Sequence, residues 1–264
     1  MVWKTLGVSG KGLKEMKIEV LGCSGSVMRG YDTTSILVNA KVLIDAGSVM
    51  SVLPADDLDR IRIVLITHPH IDHIKELPFL VDALFTRKVR GIKIMGSPAT
   101  IEALQHHVFN GLIWPDIAEL DADRTVLSIE PVPDGWFDLD GIRVMAFPVN
   151  HTGGAYGYVI SENGDYVMFT GDTGYHQGLF DLIGTLGPKL KACFIEASFP
   201  NRMGELAATT QHLTPALIVK GLNGVLSSST RVIAYHMKPS YFDEVIAELP
   251  EGFEHVRGGE VLIL

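Results

Sequence analysis

Apolar residues recur along the whole chain in short bursts, and only some of them carry a helical spacing. Runs rich in Val and Ile, bounded by Gly, Pro, Asn or Asp, predict strands at Lys17–Gly22, Ser35–Val38, Val42–Asp45, Ile61–Thr67, Ile92–Gly96, Ile142–Val149, Tyr156–Ile160, Tyr166–Thr170, Ala192–Glu196, Arg231–His236 and Val261–Leu264. Apolar positions three and four apart predict helices over Ile74–Lys88, Pro98–Val108, Leu179–Leu190, Thr214–Leu226 and Ser240–Leu249. Pro98 and Pro215 fall in first turns, each behind a Ser or Thr able to cap. Hairpin-like strands come first, then a helix, then further strand pairs, then a second helical group. No linker long enough to divide domains and no internal repeat interrupts that order, and the three serines at 227–229 read as a loop. The pattern predicts one α/β (α+β) domain over residues 16–264, an αββα sandwich of two mixed sheets with helices outside. Residues 1–15 read as a polar, Gly-dotted arm.

Composition changes this picture little but excludes several classes. With 47% hydrophobic and 20% charged residues, the chain is neither disordered nor low in complexity. Its 22 basic and 31 acidic residues give a net charge of −9, which disfavours an extended nucleic-acid partner. Cys23 and Cys193 are too few for a disulfide framework or a cysteine-rich zinc site, and their apolar surroundings predict buried, reduced thiols. No apolar run reaches signal-peptide or membrane-span length, so a cytoplasmic protein with no membrane partner is expected.

The chemistry concentrates in THPHIDH, residues 67–73, between an apolar run and a helical pattern. Three imidazoles and a carboxylate within six residues would repel one another if protonated and compete for partners if buried. A cation resolves both problems, and this donor set suits zinc, iron or manganese. Four ligands would saturate a single ion, so further acceptors elsewhere would imply two. His151, Asp172 (within TGDTG) and His236 each close a predicted strand. Singly, each has an ordinary explanation as a strand-end or turn residue; together with the first cluster they read as ligands.

The motif HPHIDH, followed by His151, Asp172 and His236 in that order, resembles the metallo-β-lactamase superfamily of αββα hydrolases, with LGCSGS (21–26) and LIDAG (43–47) similar to its opening hairpins. The resemblance runs from about residue 17 to 264. It implies one metal on His68, His70 and His151, a second on Asp72, His73 and His236, Asp172 bridging both, and Asp45 orienting a ligand from behind. Such a centre implies attack on the substrate by a metal-bridging hydroxide. The later blocks EASFPN (196–201), HLTP (212–215) and HMKPSYFDE (236–244) resemble the class II cyclic-nucleotide phosphodiesterases. That branch implies hydrolysis of 3′,5′-cyclic AMP, or of cyclic GMP, to the 5′-monophosphate, and a homodimer. Catalytic roles are read for Asp72, for His212 as proton donor to the departing 3′-oxygen, and for Glu196 as the carboxylate positioning it. A capping role for His212 stands beside that reading.

Other residues keep ordinary roles as well. Thr214 reads as a helix cap before a phosphate contact, and Lys238 as a solvated lysine before one. Tyr175, Phe199 and Tyr241 are either core or base-stacking residues, and His106, His107, His176 and His255 carry no ligand spacing. Among rivals, a tRNA 3′-processing endonuclease would resemble its relatives in carrying a long arm, for which the 21 residues from His151 to Asp172 leave no room. A glyoxalase II-type thioesterase would add a helical domain where only 28 residues follow His236. A lactonase, an enzyme acting on 2′,3′-cyclic or other small phosphodiesters, and a non-enzymatic metal-binding or nucleotide-sensing protein remain as alternatives. No serine nucleophile elbow or P-loop motif is present.

Overall fold

The computed structural model describes residues 15–121 and 125–264, so the arm read over residues 1–15 lies, apart from Glu15, outside the described residues. Among the described residues, fourteen strands form two seven-stranded sheets. Edge to edge, the first runs Val261–Ile263, Lys17–Gly22, Ser35–Val38, Val42–Ile44, Ile63–Leu65, Ile92–Gly96 and Leu127–Pro131. The second runs Glu254–His255, Arg231–Tyr235, Leu190–Glu196, Asp165–Phe169, Tyr156–Glu162, Ile142–Pro148 and Trp136–Leu139. In each sheet an antiparallel meander gives way to parallel strands: beyond Val42–Ile44 in the first, and beyond Asp165–Phe169 in the second. Asp140–Gly141 and Asn163–Gly164 turn two of the hairpins with positive φ at both residues (51° and 83°, 54° and 88°), the requirement of a type I′ turn.

The strand alternation sorts side chains into three apolar layers. Ile18, Val20, Ile36, Val38 and Ile44 point inward to meet Tyr158, Ile160, Phe169 and Phe194 between the sheets, where the rings of Phe169 and Phe194 stack at 4.8 Å. Leu37, Leu43 and Val64 point outward against the helices Leu77–Thr86 and Pro98–His107. Val159, Met168, Cys193 and Ile195 do the same against Gln177–Leu186 and Pro215–Leu222. Both faces of the central strands are covered, which explains continuous runs such as SILV, buried at all four positions. The predicted αββα sandwich is the observed architecture.

Several boundaries move. The helix predicted over Ile74–Lys88 is two pieces, Ile71–Ile74 and Leu77–Thr86, because Pro78 in the second helix's first turn has no N–H to continue a ladder. The break leaves Asp72 and His73 on a short turn of their own. Ser97 caps as expected, its hydroxyl accepting from the Thr100 N–H at 3.1 Å. Thr214 does not cap: it holds the N-cap position without a side-chain bond, and Asn201 Oδ1 accepts from the Ala216 N–H at 2.7 Å in its place. The strands Leu127–Pro131, Trp136–Leu139 and Glu254–His255 were not predicted. All three lie at sheet edges, where polar residues and proline replace the apolar run that marks a central strand.

Candidate metal centre

Parallel strands end their hydrogen-bond ladders at a common rim, and open α/β sheets place their functional groups beyond the carboxyl ends. In the first sheet, Ile63–Leu65 runs into Thr67, His68, Pro69 and His70, and the turn Ile71–Ile74 follows directly. In the second sheet, His151 follows Ile142–Pro148, Asp172 follows Asp165–Phe169, Glu196 ends its strand and His236 follows Arg231–Tyr235. His212 precedes the helix Pro215–Leu222. All seven predicted ligands meet between the sheets. His68, His70, His151 and Asp172 form one group, Asp72, His73 and His236 a second, and Asp172 and His236 recur with His212 in a third. Asp172 faces both: Oδ2 lies 3.7 Å from His68 Nε2, 3.9 Å from His151 Nε2 and 3.1 Å from His236 Nε2, and Oδ1 lies 3.3 Å from His73 Nε2. Asp72 Oδ2 is 3.8 Å from His73 Nε2 and 3.7 Å from His236 Nε2.

Whether these residues suit metal ions is decided by what they lack. His68, His73 and His236 are fully buried and Asp172 nearly so, yet His68 Nε2, His73 Nε2, His236 Nε2 and Asp172 Oδ1 have no hydrogen-bond partner. Buried polar atoms without partners are costly, and converging imidazole and carboxylate atoms are the donor set of divalent cations. The residues therefore fit two such ions. Burial, reinforced by the neighbouring His73, holds the His68 imidazole well below its usual range and so in the neutral form that can ligate. Burial opposes ionisation of Asp172, but His236 and His73 outweigh it and keep that carboxyl well below the usual carboxylate range.

A second layer aims the ligands. Asp45, fully buried, accepts from His73 Nδ1 at 2.7 Å, from the Thr67 N–H at 2.8 Å and from the Thr67 hydroxyl at 2.9 Å. The carbonyl of Gln211 accepts from His151 Nδ1 at 2.9 Å, and Thr34 Oγ1 pairs with His236 Nδ1 at 2.9 Å. Each fixes a ring so that its other nitrogen turns to the centre. Asp45, Gln211 and His236 sit at φ of 58°, 55° and 60°, a region costly for non-glycine residues and one that clusters at functional sites. Gly25 lies against His236 so closely that an added Cβ would be 2.9 Å from its Nε2. The Asp45 role matches the sequence expectation. Thr34 and the Gln211 carbonyl were not foreseen, because neither a lone Thr nor a backbone oxygen leaves a trace in sequence.

Beside the ligands lies a buried acid–base pair. His212 Nδ1 is 2.7 Å from Glu196 Oε1 and 4.0 Å from Asp172 Oδ2. Since a carboxylate only accepts, Nδ1 carries a proton and Nε2 is left for other chemistry. Burial disfavours the imidazolium, but Glu196 more than compensates and raises the His212 pKa. Glu196 is itself held by N–H groups of Thr173 and Ser198, both at 3.0 Å.

Among the remaining candidates, Lys238 is half-buried, and its ammonium donates to the Gly25 carbonyl. Phe199 packs edge-on to His212 at 5.7 Å with Tyr241 at 6.3 Å from Phe199, whereas Tyr175 packs on Phe180 and under Lys220. His106 and His107 lie exposed on a helix, and His255 packs edge-on against Phe242. His176 departs from the ordinary reading in one respect, a buried Nε2 with no partner.

The family model described as a beta-lactamase superfamily domain matches residues 34–237, which contain every ligand above. The chain belongs to the beta-lactamase superfamily. Within that superfamily it is similar to 3′,5′-cyclic-nucleotide phosphodiesterase 1 of Saccharomyces cerevisiae, 49% identical over 53 residues that make up 20% of this chain and 14% of that protein. It is 26% identical over 248 residues to the 3′,5′-cyclic-nucleotide phosphodiesterase of Aliivibrio fischeri, covering 77% of this chain and 73% of that one. It is also 25% identical over 219 residues to endoribonuclease ysh1 of Emericella nidulans, covering 73% of this chain and only 23% of that protein. The crystal structure of unliganded yeast PDE1 superposes with a TM-score of 0.82 at 20% identity, over 95% of this chain and 99% of that one, a likeness of fold. No helix among the described residues is long and apolar enough to cross a membrane.

Proposed function

We propose that this superfamily member is a metal-dependent hydrolase that cleaves a 3′,5′-cyclic nucleotide, cyclic AMP before cyclic GMP, to the 5′-monophosphate. The His212–Glu196 pair, 2.7 Å apart and beside Asp172, carries this reading. A phosphodiester releases an alkoxide that needs a proton, and here is a buried, proton-bearing imidazole next to the ligands. The two relatives named for cyclic nucleotides support the choice of substrate.

Two divalent ions, zinc first and iron or manganese as alternatives, would sit on His68, His70 and His151 and on Asp72, His73 and His236, with Asp172 shared. When bound they supply Lewis acidity toward phosphoryl oxygens and a nucleophile at neutral pH. The chain's own residues do the rest. Asp45, Thr34 and the Gln211 carbonyl hold His73, His236 and His151 in place. Glu196 holds the His212 proton on Nδ1 and raises the pKa, so that Nε2–H can be delivered to the 3′-oxygen as its bond to phosphorus breaks. Asp72, partly exposed, is the second carboxylate placed to handle a proton.

The proposal extends to residues 16–264 acting as one domain, since the centre draws on both sheets. A reducing, cytoplasmic setting fits the two buried free thiols, and a homodimer rests on the family resemblance alone. A net charge of −9 argues for a small substrate over an extended nucleic acid. The endoribonuclease relative supports a second reading, cleavage of another phosphodiester. Metal analysis followed by product analysis on 3′,5′-cyclic AMP, 2′,3′-cyclic AMP and a homoserine lactone decides between them. Two equivalents of metal and 5′-AMP as product are expected. Two metals with turnover of another substrate alone would discard the cyclic-nucleotide assignment and keep the centre.

A further inference from the structure

Four of the five histidines among the predicted ligands are oriented alike. His68, His73, His151 and His236 are buried and turn Nε2 toward Asp172. Their Nδ1 atoms are held from behind, in that order, by Thr67 Oγ1 at 3.1 Å, Asp45 at 2.7 Å, the Gln211 carbonyl at 2.9 Å and Thr34 Oγ1 at 2.9 Å. His70 is turned the other way round. It is exposed, its Nδ1 lies 3.3 Å from His151 Nε2, and its Nε2 pairs with the hydroxyl of Thr152 at 3.1 Å. Two nitrogens bound to one tetrahedral zinc, each at roughly 2.0–2.1 Å, stand about 3.3 Å apart, so Nδ1 is the atom of His70 placed to ligate. A neutral imidazole that ligates through Nδ1 carries its proton on Nε2, and the Thr152 oxygen accepts it.

This bond joins the two sheets at the mouth of the centre. His70 follows the strand Ile63–Leu65 of the first sheet, whereas Thr152 follows Ile142–Pro148 of the second. The loop carrying Thr152 is closed by the Val149 N–H, which donates to the Ala155 carbonyl at 3.1 Å. Gly153, at φ 73°, sits so close to the residue before His70 that an added Cβ would lie 3.0 Å from Pro69 Cδ. Glycine lets the loop settle there, and the neighbouring Thr152 hydroxyl comes within reach of the ring. A buried ring is also held by close packing, while an exposed one depends more on its hydrogen bond. We infer that Thr152 is the positioning residue of the first metal site. Its hydroxyl fixes the reversed ring of His70, so it governs the ion held by His68, His70 and His151 and not the one held by Asp72, His73 and His236. The inference rests on the two-metal part of the functional reading and on no choice of substrate.

The test is zinc binding to the metal-stripped full chain, read by competition with a chromophoric chelator. Native protein is compared with Thr152→Val, which keeps the shape of threonine and removes the acceptor, and with Thr152→Ser, which restores it. Native protein should take up two equivalents. In Thr152→Val one equivalent should weaken by about 10–100-fold, the usual size for a group that orients a ligand, while the other keeps its native affinity. Thr152→Ser should bind as native protein does. The double variant Thr152→Val, His70→Ala should still hold one equivalent at native affinity, because both substitutions act on the same ion. Nitrogen-15 spectra of the zinc-loaded native protein should show His70 protonated on Nε2 and the other four ligand rings protonated on Nδ1. Native affinity for both ions in Thr152→Val, weakening of both ions in either valine variant, or a His70 ring protonated on Nδ1 overturns the inference. Failure of the functional reading looks different: native protein itself takes up fewer than two equivalents, in which case the inference falls with it.

Discussion

The first sheet delivers His68, His70, Asp72 and His73 from one loop of six residues, whereas the second delivers His151, Asp172, Glu196 and His236 from the ends of four separate strands. The loop is a local device. Its spacing is set by a proline, a short helical turn and the break before Pro78. The second half is a device of topology: residues 85 positions apart, such as His151 and His236, meet because their strands end at the same rim. The comparison teaches where the centre is vulnerable. Changes in the loop should act on one ligand at a time, while Asp172, which faces both groups, couples the halves.

Breaking that coupling should have the largest effect. Asp172→Ala is expected to lose at least about a thousandfold in turnover, since several kcal/mol of charge stabilisation depend on the ions, and to fall well short of two bound metals by elemental analysis. His70→Ala, at the exposed edge of the loop, should retain more metal than Asp172→Ala. Equal losses in the two would mean that the halves are not coupled through Asp172. Next in size, His212→Ala should lower kcat by about 10²–10⁴ while leaving two metals bound, because its Nδ1 is engaged by Glu196 at 2.7 Å and stands 4.0 Å from Asp172, and it lies outside the seven proposed ligands. Metal loss in that variant would make His212 a ligand and remove it as proton donor.

The same contrast governs what was legible in the sequence. THPHIDH announced itself because ligand and loop coincide, and the αββα layering followed from the order of strand runs and helical spacings together with the family resemblance. His151, Asp172 and His236 were legible only as strand-end residues in a chain that already carried the loop. What escaped lies where chemistry comes from the backbone or from edges: the Gln211 carbonyl behind His151, Thr34 behind His236, and three edge strands lacking a central strand's pattern. Thr214 misled because an N-cap position predicts a side-chain bond that Asn201, thirteen residues upstream, makes to the same helix end instead.

A smaller effect sharpens the comparison from behind the ligands. Asp45 supports the loop through His73 and Thr67, so Asp45→Asn should weaken metal binding by about 10–100-fold without altering the fold, the usual size for a group that orients a ligand. Competition against a chromophoric chelator measures it. Thr34→Val, behind His236 in the second half, provides the matching case. If the second half depends more on topology than on local bonds, its loss should be the smaller of the two.

The smallest effect tests whether the second sheet's edge matters to the centre at all. Arg231 and Glu254 form a two-bonded ion pair, both contacts at 2.7 Å, that ties the short edge strand Glu254–His255 to the strand that leads into His236. The hydrogen bond from Arg231 lowers the Glu254 pKa, so the pair's contribution is complete above the ordinary glutamate range and is lost as pH falls through the lowered value. Both side chains are more than a third exposed, and solvent screening limits the gain to about 0.5 kcal/mol. Metal-stripped Glu254→Gln should therefore melt slightly below native protein at pH 7, and the gap should close on acidification. A gap that stays constant with pH would trace the pair's effect to packing and not to charge. Loss of metal from the loaded variant at neutral pH would show that the rim carrying His236 is held from the edge inward as well as by the parallel strands on its other side.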